Sequence, residues 1–173
     1  FANCEPVVEA MRQFYPGIRL VPNGCDERMA LASIPQDAGF AEYAASTKPK
    51  IGFVGNLEKK IDIDLIGKLA DSFPDAQVVL LGSTHANPDV LELARHPNIL
   101  LAGVVPYAQV GAWVSRFDVG IIPHLDMDLT RSMNPLKLFV YLACLNATAT
   151  TEIYTIDRDS PLLRVADSHA GFI

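Results

Sequence analysis

Residues 50–55 read Lys-Ile-Gly-Phe-Val-Gly. A nearly unbroken apolar run that stops on glycine fits a strand buried on both faces. The same device returns twice, as Ala-Gln-Val-Val-Leu-Leu-Gly at 76–82 and Asn-Ile-Leu-Leu-Ala-Gly at 98–103. Between these runs the period changes from strand to helix. Residues 61–73 form an amphipathic helix with Ile63, Ile66, Leu69, Ala70 and Phe73 inward, residues 88–95 a short helix, and residues 107–115 another. Val-Gly-Ile-Ile at 119–122 is a fourth strand, and 147–151 and 162–166 fit a fifth and a sixth. Apolar strands alternating with helices predict an α/β fold, a Rossmann-like parallel sheet with helices on both faces. In such sheets ligands bind outside the carboxyl ends of the strands. That edge carries Gly55-Asn56, Gly82-Ser-Thr84, Gly103-Val104 and Pro123-His124.

Upstream, residues 5–15 read as a helix with Val7, Val8, Met11 and Phe14 on one face, ended by Pro16-Gly17. A short strand at 18–21 runs into an Asn-Gly turn within residues 22–26. Residues 27–47 are alanine-rich and weakly patterned, with a short helix around 39–45, and Thr47-Lys-Pro49 marks a boundary.

The chain has 173 residues, half of them hydrophobic and 20% charged, enough to bury a sizeable core. A net charge of −6 argues against a nucleic-acid partner and requires any anion site to be local. Cys4, Cys25 and Cys144 lie far apart and leave an odd thiol, as expected in a reducing, cytoplasmic setting. No apolar run reaches membrane-spanning length. The chain opens at Phe1 and stops at Ile173 without a tail, so it is expected to be a piece of a longer protein.

Residues 129–143, Leu-Thr-Arg-Ser-Met-Asn-Pro-Leu-Lys-Leu-Phe-Val-Tyr-Leu-Ala, carry the densest chemistry. Asn134 is a good N-cap and Pro135 suits the first helical position. Leu136, Phe139 and Leu142, with Val140 and Ala143, give the helix a broad apolar face. A loop with Thr130, Arg131 and Ser132 thus enters a helix N-terminus with Lys137 in its first turn, a arrangement suited to phosphate. The residues alone fit an ordinary capped core helix equally well. Gly55-Asn-Leu-Glu-Lys-Lys60 offers close backbone approach and two lysines, but lacks the dinucleotide and P-loop spacings. Asp62 and Asp64 suit a helix start, and Asp126 and Asp128 fit a sugar-binding or a solvated loop equally. His85, His96, His124 and His169 show no metal-ligand spacing; His124, at the ligand edge, fits a ligand contact but better fits a surface histidine.

In this order and spacing the pieces resemble the C-terminal, donor-binding domain of GT-B glycosyltransferases of the GT4 type (glycosyl transferases group 1). Val-Pro-Asn-Gly-Cys-Asp at 21–26 is similar to that family's crossover between domains. Ile-Gly-Phe-Val-Gly-Asn at 51–56 is similar to its first strand and glycine loop, and Gly-Val-Val-Pro-Tyr at 103–107 to its G-x-V-P-Y segment. Phe-Asp-Val-Gly-Ile-Ile-Pro at 117–123 resembles F-D-V-x-I-x-P, and residues 129–143 resemble its N-P-L-K signature.

The resemblance implies that residues 1–22 end an N-terminal domain and that 23–173 bind a nucleotide-diphospho-sugar. It implies that Gly55, Asn56, Arg131, Ser132, Asn134, Pro135, Leu136 and Lys137 hold the donor diphosphate, and that Val104, Pro106, Tyr107 and Val140 border the base and ribose. No cofactor or metal is implied, because basic residues and helix dipoles carry the leaving-group charge. The acceptor, a sugar or a lipid-linked sugar, would bind an absent N-terminal domain that also holds any general base. The implied work is bacterial surface polysaccharide assembly, at the inner face of the membrane. Two departures stand out. Val140 replaces a family glutamate and offers no acceptor for a hydroxyl. Ala-Cys-Leu-Asn-Ala-Thr-Ala at 143–149 lacks the family's helix-ending glycine and turn proline, leaving Asn146 as the expected cap. Val140 therefore also fits a degenerate, non-catalytic partner subunit. A GT-B-fold sugar-nucleotide epimerase would need carboxylates that the sequence does not place.

Overall fold

The computed structural model describes residues 1–26, 28–29, 32–127, 130, 135–145, 152–155 and 164–165. Helices α1 (Glu5–Arg12) and α2 (Ala38–Ala45) precede strand β1 (Lys50–Val54) and helix α3 (Ile63–Ser72). Then come β2 (Gln77–Leu81), a 3₁₀ helix (Pro88–Arg95), β3 (Ile99–Gly103), α4 (Tyr107–Val114) and β4 (Val119–Ile121). Helix α5 (Leu136–Leu145) and strands β5 (Glu152–Thr155) and β6 (Arg164–Val165) complete the order.

The sheet runs β3-β2-β1-β4-β5-β6, with the first five strands parallel and β6 antiparallel at the edge. It bears out the α/β, Rossmann-like expectation. The chain steps outward from β1 to β3, then returns to the other side of β1 with β4, so the order reverses between β1 and β4. That reversal opens the crevice in which open α/β sheets bind ligands.

Alternation along β2 divides the core. Val78 and Leu80 enter one cluster with Ile51, Phe53, Ile66, Ala70, Val90 and Leu93, under α3 and the 3₁₀ helix. Val79 and Leu81 enter the other, with Trp113, Phe117 and Tyr141, under α2, α4 and α5. Each such side chain, removed from water, contributes roughly 1.5–3 kcal/mol. Asp62 caps α3 by accepting from the Leu65 N–H at 2.9 Å, and Asp37 caps α2 by accepting from the Phe40 N–H at 2.9 Å.

Two facing glycines make room for aromatic rings on the sheet. Gly52 and Gly120 are register partners on β1 and β4. A β-carbon on Gly52 would stand 2.2 Å from the Phe117 ring, and one on Gly120 2.9 Å from Tyr141. The two rings meet edge-on with centroids 6.5 Å apart.

Several local expectations need correction. Residues 18–21 form no strand, only an isolated bridge of Leu20 to Ala2, because no neighbour extends the pairing. The short helix at 88–95 forms over the expected residues, in 3₁₀ geometry. Phe73 and Phe14 are exposed, each lying just past the end of its helix. The fifth strand is Glu152–Thr155, beyond the 147–151 stretch, whose own residues lie outside those described. Helix α5 buries Leu138, Val140, Tyr141, Leu142 and Cys144 against the core and leaves Leu136 exposed. No described helix is long and apolar enough to cross a membrane.

Candidate functional site

The pairing of β1 with β4 stops at Gly52 and Gly120. Past that point the Tyr141 hydroxyl bridges the strands, accepting from the Val54 N–H at 3.2 Å and donating to the Ile121 carbonyl at 2.9 Å. Tyr141 is fully buried, and burial raises its pKa above that of a free phenol. The crevice is thereby held open above a fixed floor.

Three glycines shape the rim. Gly55, Gly82 and Gly103 end β1, β2 and β3 with φ of 133°, 143° and 71°, conformations that side-chain-bearing residues rarely adopt. Their loops are tied in series: the Gly55 N–H donates to Leu81 O at 2.9 Å, Leu57 N–H to Ser83 O at 2.9 Å, and Gly82 N–H to Gly103 O at 2.8 Å. A β-carbon on Gly82 would lie 2.0 Å from the Gly55 carbonyl oxygen.

Lys137 reaches over this rim from the first turn of α5. Its Nζ stands 5.1 Å from the Phe53 ring centroid, a cation–π distance. Burial first, and then the Lys60 ammonium, push its pKa below the usual lysine range, while Glu58 opposes. Among the described residues no carboxylate lies within ion-pair distance of it. A half-buried cation without a paired carboxylate is costly alone, and an incoming anion relieves that cost. Lys60, 3.0 Å from Glu58, adds a second cation beside the site.

His124 is fixed by an antiparallel bridge to Ile61, flanked by Asp62 N–H to Pro123 O at 2.9 Å and Leu125 N–H to Lys60 O at 2.8 Å. It is partly buried rather than a surface histidine, and its Nε2 is sealed from solvent without a hydrogen-bond partner among the described residues. Burial, then the charges of Lys137 and Lys60, hold its pKa down at about 4. A cavity of about 390 Å³ opens farther along the rim, lined by Leu57, Gly82, Ser83, His85, Gly103 and Val104 among others.

Of the residues singled out in the sequence, Gly55 and Lys137 come together. Asn56 is exposed beside them. Pro135 and Leu136 lead into α5, Leu136 being exposed. Arg131, Ser132 and Asn134 lie outside the described residues, as does Asp128. Val104 and Tyr107 are exposed, and Pro106 precedes α4. Val104 borders the cavity, whereas Val140 packs against the aromatic core. Sequence reasoning missed Tyr141 and the sealed His124. The tyrosine had one signal, its placement one turn after Leu138 and Lys137 on the same helix. Among the described residues no group of three or more His, Cys, Asp or Glu side chains converges as metal ligands would.

Comparison with known proteins finds a relative in sequence and a solved structure of the same fold. TuaH of Bacillus subtilis, named as a glycosyltransferase of teichuronic acid biosynthesis, is 33% identical over 95 residues, which are 54% of this chain and 24% of that protein. Sucrose-phosphate synthase of Thermosynechococcus elongatus superposes with a TM-score of 0.61 at 16% identity, over 88% of this chain and 39% of its own, and shares the fold. Anabaena Alr3699/HepE, solved with UDP and glucose, superposes at 0.49 with 18% identity over 72% of this chain and 37% of its own, too loosely to bear on the site. No family model matches the chain. The chain thus resembles a glycosyltransferase in sequence and shares the fold of sucrose-phosphate synthase, and it spans well under half the length of each of these proteins.

Proposed function

We propose that the chain is the donor-binding part of a glycosyltransferase, which takes a nucleotide-diphospho-sugar and passes the sugar to an acceptor hydroxyl. One observation carries the reading: Lys137 lies on Gly55 at the crevice between β1 and β4, without a paired carboxylate among the described residues. In this role Lys137 neutralises the diphosphate as it departs, and Lys60 adds to the positive field. The glycine rim lets the phosphates approach backbone. The cavity bordered by Val104 and Gly103 suits the base and ribose. Arg131, Ser132 and Asn134 would complete the phosphate contacts from the sequence motif. The acceptor and its general base would belong to a further domain of the longer protein, for which residues 1–22 form the approach. Surface polysaccharide assembly at the inner face of the membrane is the process that best suits the relationship to TuaH, whose name assigns it to teichuronic acid biosynthesis.

Calorimetric titration with UDP, GDP and ADP tests the reading. Binding of at least one is expected, and no binding of any at millimolar concentration overturns it. A second reading rests on Val140, which packs against the core and offers a hydroxyl no acceptor. Under that reading the domain binds nucleotide in a subunit that transfers nothing. Product analysis of the longer protein with a nucleotide-sugar and acceptor separates the two.

A further inference from the structure

We propose that His124 is a proton-accepting third cation of the Lys137 site, so that diphosphate binding takes up a proton. The inference rests on the donor-site reading and adds a coupling to it. Two structural facts converge with the charges around the ring. The bridge to Ile61 fixes the His124 backbone beside the loop that carries Lys60 and Glu58. The imidazole Nε2 is sealed from solvent and bonded to nothing among the described residues, an arrangement that costs free energy and leaves the ring's charge state to the surrounding field. The charges of Lys137, from α5, and of Lys60 both reach the ring.

The charged groups acting on His124 among the described residues are Lys137 on α5 and Lys60 and Glu58 on the loop before α3. Asp62, on the same loop, aims its carboxylate at the Leu65 N–H as the α3 cap. Burial is the largest influence that keeps the empty-site ring neutral; Glu58 is 3.0 Å from Lys60, so among the charges Lys137 acts most strongly and also opposes protonation of His124. A bound diphosphate brings more negative charge than the two lysines carry positive. The field at the ring then changes sign and favours protonation, which raises the His124 pKa toward its ordinary range although the ring stays buried. No covalent bond changes. One proton passes from solvent to His124, and the ring becomes a donor at both nitrogens.

The test uses inorganic pyrophosphate and UDP with the full chain and with His124→Gln, by calorimetry at pH 6.0 and 7.5 in buffers of different ionisation enthalpy. The ligand's own titration is common to both proteins and cancels in the comparison. If the bound histidine returns to its ordinary range, wild type gains about fourfold in affinity over the variant on going from pH 7.5 to 6.0. Wild type also takes up more protons per bound ligand than the variant at pH 6.0. The buffer dependence of wild type alone, beyond that of the ligand, reports the uptake even if His124→Gln fails to fold. Equal pH dependence in both proteins, or a wild-type heat that carries only the ligand's proton, overturns the proposal and leaves the donor-site reading standing. Absence of binding by either ligand at any pH overturns both.

Discussion

Lys137 lies across Gly55, with its Cε 2.5 Å and its Nζ 3.0 Å from the point where a β-carbon on that glycine would stand. The glycine is thus the surface on which the lysine rests. Its absent side chain and its positive φ are both used.

Gly55→Ala is therefore expected to do two things. It strains a backbone held at φ 133°, at a cost of about 1–3 kcal/mol in stability. It also drives the Lys137 chain off the rim. Chemical denaturation should register the first effect and UDP titration the second, as a loss of roughly tenfold or more in affinity. Unchanged affinity in a folded variant would separate Lys137 from the phosphate role.

Lys137→Ala should weaken nucleoside diphosphates by about 10- to 100-fold, the range of a charge-assisted hydrogen bond, and leave the nucleoside nearly unaffected. Parallel titrations of UDP and uridine give the comparison. Equal losses for both would mean that the lysine shapes the pocket without touching phosphate.

Tyr141→Phe removes the hydroxyl that joins Val54 to Ile121 and leaves a buried N–H and a buried carbonyl without that partner. A loss of about 1–3 kcal/mol in unfolding free energy is expected. Urea unfolding followed by tryptophan fluorescence suits the measurement, since Trp113 sits in the same core cluster. A change below about 0.5 kcal/mol would show that strand pairing closes the gap unaided.

The burial of His124 gives the fold its own pH response. Its pKa is held down at about 4 by burial, then by Lys137 and Lys60, while the unfolded chain titrates at the ordinary value near 6.5. Between these values the unfolded state binds more protons. Stability from this group is therefore full above pH 6.5 and falls as pH drops toward 4. After allowance for solvent screening at a partly exposed site, the fall is about 1–2 kcal/mol. Unfolding of wild type and His124→Gln at pH 7 and pH 5 measures it: the variant should lose less between the two pH values. Equal losses would assign acid sensitivity elsewhere.

The sheet was readable because its strands are apolar runs ended by glycine, and β1 to β4 lie where 50–55, 76–82, 98–103 and 119–122 predicted. The meeting of Gly55 and Lys137 was readable from the same edge rule together with the N-P-L-K motif. The inward face of α5 was not. Every residue from Leu138 to Leu145 is apolar, counting Tyr141 and Cys144, so periodicity selects no face, and packing against Gly120 decides it instead. For the same reason Tyr141 read as one more apolar position, while its hydroxyl acts only through strands twenty and eighty-seven residues away in sequence. The sealed Nε2 of His124 depends on the bridge to Ile61, a contact that no local pattern encodes.

The serial bonding of the glycine loops has a consequence for how this rim can change over time. Gly55 hangs from Leu81, Leu57 from Ser83, and Gly82 from Gly103, while the carbonyl of Gly55 fills the space that a side chain on Gly82 would need. An insertion or bulky replacement after β2 or β3, which would recut the cavity, would also shift the ledge under Lys137. Under the donor-site reading, new base preference and intact phosphate grip are thus not independently heritable here. Variants that switch nucleotide are expected to arise from side chains facing the cavity, such as Ser83, His85 or Leu91, with the loop lengths left as they are.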